Sequence, residues 1–79
     1  MPIAYRKKTA FFETLVTVED AEDLLQWIQK NPQGKVDLSG CTHLHAANLQ
    51  VLMAAGCSVI GWPKDANLSA WLQSALRSN

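Results

Sequence analysis

Cys41, His43 and His45 stand at i, i+2 and i+4 in the run Cys41-Thr42-His43-Leu44-His45, and in an extended segment that spacing projects all three side chains to one side. Thiolate and imidazole are the ligands a zinc-like ion takes, so a small metal site is one chemistry the run could serve. The spacing departs from the C-x-x-C and H-x-x-x-H pairs of structural zinc sites, and a fourth ligand would have to come from Asp37 or Cys57. The same run holds the only local thiol-imidazole pairing. Neighbours along one strand do not set sulfur against imidazole beside an open oxyanion site, so hydrolase chemistry is not indicated. A lone Gly40 after a strand is no phosphate loop. These residues therefore predict a protein that is not an enzyme and carries no cofactor.

The elements that must position them can be read from periodicity. Phe11 to Val18 is rich in aromatic and β-branched residues and suits a strand, with Ile3 to Tyr5 as a short edge strand. Thr17-Val18-Glu19-Asp20 has the form of a capping box. Ala21, Leu24, Leu25 and Ile28 then share one helical face, acidic residues crowd the first turn, and Asn31-Pro32 ends the helix. Trp27, Trp62 and Trp71 are read as core anchors of the helices, with an exposed patch that pairs with another chain as the alternative for Trp27, which falls beside that stripe. Val36 and Leu38 mark a strand, and the polar residues after it predict a turn. A second helix over Ala46 to Ala55 follows, with Leu49, Leu52 and Met53 inward and Gly56 as its C-terminal cap. Ser58 to Trp62 is a further strand stopped by Pro63. Asp65 caps a last helix with Leu68, Trp71, Leu72 and Ala75 on its stripe. Strands alternating with helices over such links predict an α/β fold: a small, mostly parallel sheet of three to four strands with three helices.

With 79 residues the chain makes one domain, near the lower limit for a core without metal, disulfide or partner. Seven acidic and seven basic residues leave no net field toward nucleic acid or anionic lipid. The cluster Arg6-Lys7-Lys8 is read as a solvated arm near the chain end. No apolar run is long enough for a secretion signal or a membrane span, which predicts a cytoplasmic protein. Cys41 and Cys57 lack disulfide-framework spacing and are read as small, partly buried apolar residues.

The segment Val36 to Val51 resembles the strand-turn-helix core of STAS domains, the family of the anti-sigma-factor antagonists. Asp37-Leu38-Ser39 resembles the family's strand end, Thr42 its turn Thr or Ser, and Leu49 and Val51 its apolar helix positions. Leu15 to Ala21 looks like its second strand running into its first helix. About two thirds of the chain can be laid along the family as a minimal member. By the same alignment His45 replaces the family's Asp, Ala46 its phosphorylated Ser or Thr, and Asn48 its Gly. Alanine has no hydroxyl, so phosphorylation at the family position is excluded.

The resemblance implies a bacterial protein-interaction module that docks a kinase-type anti-sigma factor, a transporter subunit or another signalling protein. By resemblance the docking surface comprises Ser39, Gly40, Thr42, His43, His45, Ala46, Ala47, Asn48 and Gln50. Two further readings stay open: a metal-binding protein using Cys41, His43 and His45, and a structural subunit completed by self-association as a homodimer.

Overall fold

Seven elements follow one another in the computed structural model, which describes residues 2–77. They are β1 (Ile3–Arg6), β2 (Thr9–Val16), α1 (Asp20–Lys30), β3 (Lys35–Leu44), α2 (Ala46–Ala55), β4 (Ser58–Gly61) and α3 (Ala66–Arg77). The sheet runs in chain order, β1-β2-β3-β4. β1 pairs antiparallel with β2 through a tight turn, while β3 lies parallel to both β2 and β4 because helices carry the chain back between them. The mixed four-stranded sheet with three helices is the α/β class that strand-helix alternation predicts.

One face of the sheet carries the core. Ile3, Phe12, Val16, Val36, Leu38 and Leu44 are all nearly inaccessible there, and Leu24 and Ile28 of α1, Leu49 and Leu52 of α2 and Leu72 of α3 close over them. α1 packs on α2 and α2 on α3, so the helices form a single layer. Each fully buried Leu or Phe contributes about 1.5–3 kcal/mol, and this shared cluster is what makes so short a chain fold.

The helix starts differ from their sequence reading in a specific way. β2 ends at Val16 rather than Val18, because the carboxylate of Asp20 takes both the Thr17 amide (2.9 Å) and the Thr17 hydroxyl (3.1 Å). The acid half of the capping box forms, and the Thr hydroxyl donates to Asp20 instead of accepting a helix amide. At α2 the start and end coincide with the prediction, with Gly56 left-handed at φ 66° and its N–H on the Leu52 carbonyl at 3.1 Å. Asp65 caps α3 by accepting from the Leu68 amide at 2.9 Å.

Three inward assignments are corrected. Leu25, Met53 and Trp71 remain 42%, 38% and 46% exposed, since a single helix layer buries only a narrow stripe of each helix. Trp27 goes the other way. Its ring lies 5.5 Å from that of Tyr5 and covers Gly34, where a β-carbon would stand 2.7 Å from the indole. It is an internal clamp on the α1-β3 turn rather than an exposed patch.

The largest difference lies in β3. The stretch from Ser39 to Leu44, expected as a turn, is strand, held by pairing of Glu13 with Gly40, Thr14 with Cys41, Leu15 with His43 and Val16 with Leu44. Two register shifts interrupt this ladder. Buried positions on β3 therefore fall at Val36, Leu38, Cys41 and Leu44, and the period of two that announces a strand is lost. Thr14 takes the left-handed backbone (φ 52°) at the irregularity, and a β-carbon at Gly40 would come within 3.0 Å of the Phe12 carbonyl.

Candidate functional site

The longer β3 moves the candidate residues from a loop to a rigid edge. β2 and β3 end side by side, and the His45 amide donates to the Val16 carbonyl at 2.9 Å, so strand passes to helix with no intervening loop. This edge is formed by the carboxyl ends of parallel strands, where open α/β sheets place their binding surfaces.

His45 is the N-cap of α2. Its extended backbone (φ −66°, ψ 143°) turns the imidazole back so that Nδ1 accepts the Ala47 amide at 3.0 Å, satisfying one of the donors a helix start leaves unpaired. An accepting Nδ1 places the ring proton on Nε2. Ala46 occupies the first helical position and projects only an exposed methyl.

Asn48 is fully buried, and its Nδ2 donates to the Thr17 carbonyl at 2.6 Å. The side chain ties the start of the β2-α1 turn to the first turn of α2. Its Oδ1 is buried without a hydrogen-bond partner. Asn48, expected by resemblance on a docking surface, is thus an internal strut. Ser39, Gly40, Thr42, His43, His45, Ala46 and Gln50 are exposed and Ala47 is half-buried, so the remainder of the set is accessible.

Two residues overlooked in the sequence join them. Leu15, the register partner of His43, is 51% exposed, and Val18, just beyond the Thr17 carbonyl that Asn48 holds, is 53% exposed. Period two counted from buried Phe12 to buried Val16 sets Leu15 on the outer face, a signal legible in the sequence. Val18 was obscured because the strand stops two residues before it. Beside this apolar pair, Glu13, Glu19 and Asp20 line a depression of about 420 Å³ together with Pro2, Thr14, Leu15 and Thr17.

The metal ligands read from the sequence are not brought together. Cys41 is buried, with its thiol donating to the His43 carbonyl at 3.3 Å, while His43 and His45 are exposed. Among the described residues no three His, Cys, Asp or Glu side chains converge on a point. Burial also pushes the Cys41 and Cys57 thiols up, which disfavours the thiolate that ligation or nucleophilic attack requires. A second depression of about 310 Å³ lies lower on the edge between Ser39, Gly40, Thr42, Lys64 and Asp65. The carboxylate of Asp65 is engaged there as the α3 cap. The described helices include none long and apolar enough to cross a membrane. The chain matches no protein-family model and no curated protein.

Proposed function

We propose that this chain is a non-enzymatic, STAS-like interaction module that docks a protein partner on the edge formed by Leu15, Val18, His43, His45 and Ala46. The observation that carries the reading is the exposure of Leu15 and Val18 beside a helix start that bears no charge in its first turn. Large apolar side chains half exposed on a rigid edge are the anchors that protein interfaces use. Burying the remaining half of each yields about 1 kcal/mol per residue. The resemblance around Asp37-Leu38-Ser39 supports the same edge and suggests a kinase-type anti-sigma factor or another signalling protein as partner. With Ala46 at the family's acceptor position, docking is controlled by partner supply rather than by phosphate at this site.

Site-specific photo-crosslinking tests the reading. A photoreactive residue at His43 is expected to capture one protein that the same probe at Glu22, on the outer side of α1, does not. Ala46→Glu should abolish that capture while raising stability by about 0.3–1 kcal/mol, because a carboxylate favours the positive end of the helix dipole. Equal capture from both positions, or capture indifferent to Ala46→Glu, sinks the proposal.

A further inference from the structure

The face of the sheet opposite the helices presents its side chains in rows set by the strand register. At the amino-terminal end of the parallel strands Arg6, Thr9, Lys35 and Ser58 lie side by side. The next row, two residues or roughly 6.6 Å along β1, β2 and β3 and three residues along β4 where its register with β3 shifts, is Ala4, Phe11, Asp37 and Gly61. Glu13 stands beyond it, and Ala4, Arg6, Phe11 and Glu13 enclose a shallow depression of about 370 Å³. Among the described residues no element covers this face, although parallel strands such as β2, β3 and β4 are ordinarily covered on both sides.

We propose that this face is the contact between two copies of the chain, related by a two-fold axis that runs across the strands between the two rows. That operation lays each row on the other. Lys35 then faces Asp37 of the second copy, and Asp37 faces its Lys35, so one register makes two identical ion pairs. Packed sheets lie roughly 10 Å apart, a gap that an extended lysine and an aspartate span together. Phe11 falls on the second copy's Thr9, one strand away from its Arg6, within reach of a cation-ring contact.

The charges are available for this use. The Lys35 and Arg6 side chains are exposed and engage no partner among the described residues, and Asp37 is fixed in place because one of its oxygens accepts the Ser39 amide at 2.9 Å. Gly61 leaves room for it, since a β-carbon there would press on the Asp37 carboxylate. A face with positive and negative rows fits its own copy in the reversed direction and repels it in the parallel one, which selects the two-fold arrangement. The face spans roughly 300 Å² per copy, less than half of the ~800 Å² per partner of a standard specific interface. The dimer is therefore weak and salt-sensitive.

Sedimentation velocity on the intact chain, from tens of micromolar to about a millimolar, should show the weight-average mass rising toward that of two chains, with the rise suppressed at about 0.5 M NaCl. Lys35→Glu should weaken dimerisation at least about tenfold, and adding Asp37→Lys to it should restore it. Because Asp37→Lys can disturb the Gly61 contact, a zero-length carbodiimide crosslink supplies an independent reading on the unaltered protein. In an equal mixture of nitrogen-15-labelled and unlabelled chains, Lys35-Asp37 crosslinked peptides should carry one label and lack the other. A monomer at every concentration, or crosslinks only between peptides of like label, overturns the proposal.

Discussion

α1 and α2 pack on the same sheet face and on each other, yet they treat water in opposite ways. In α1, Leu24 and Ile28 go inward, Glu22, Asp23, Gln26 and Gln29 go outward together with Leu25, and acids at its start with Lys30 at its end suit the helix dipole. α2 has no charged residue at all and is apolar nearly all round, with Ala46, Met53, Ala54 and Ala55 left in solvent. A helix apolar on every side is ordinarily a covered one. The difference teaches that two helices sharing one core can present unlike faces to water. α1 presents a charged face to solvent in which Leu25 is the exposed large apolar side chain, whereas α2 presents an uncharged one that includes Met53.

The comparison concerns outer faces only, so the inner faces should behave alike. Leu24→Ala in α1 and Leu52→Ala in α2 should each cost about 2–5 kcal/mol in chemical denaturation, because both side chains are fully buried in one cluster. A loss confined to the α1 variant would show α2 to be loosely docked and would break the comparison.

Asn48→Ala should cost about 1–3 kcal/mol, since the Thr17 carbonyl loses its donor. Hydrogen exchange should report the loss first at the joint between Thr17 and Ala47. A uniform effect across the chain would argue against a local strut.

The smallest effect belongs to the α1 side and appears only in alkali. Burial first, then the carboxylates of Asp23 and Asp20, push the Tyr5 hydroxyl up to about 12 from its ordinary 10. The folded state thus holds its proton where the unfolded chain has released it. The resulting stabilisation is complete below pH 10 and is lost as pH rises through about 12. Tyr5→Phe should flatten this part of the stability-pH curve relative to the parent, and an unchanged slope would remove Tyr5 as its source.

Much of the fold is legible in the sequence where a local rule acts alone. The bounds of α2, the Gly56 cap, the Asp65 cap and the strand-helix order follow from periodicity and from capping chemistry within a few residues. The candidate edge was legible in its residue types and obscured in its geometry. Ser39 to Leu44 carries polar side chains in irregular spacing because the register with β2 shifts twice, so a paired strand has the appearance of a turn. Asn48 has the side chain of a surface residue and is buried, because its amide meets a carbonyl 31 residues away in sequence. Leu25, Met53 and Trp71 sit at inward-looking periods and are exposed.

By itself the sequence determined the elements, their alternation and the missing hydroxyl at Ala46, since each depends on side chains a few positions apart. Only the tertiary structure decided that β3 runs unbroken into α2, that Trp27 clamps Tyr5 and Gly34, and that Leu15 stands beside His43. Those outcomes depend on which strand pairs with which and on how many layers are available to cover them. Among the described residues three helices fill one face of four strands and leave the other uncovered, and no local pattern in the chain records that count.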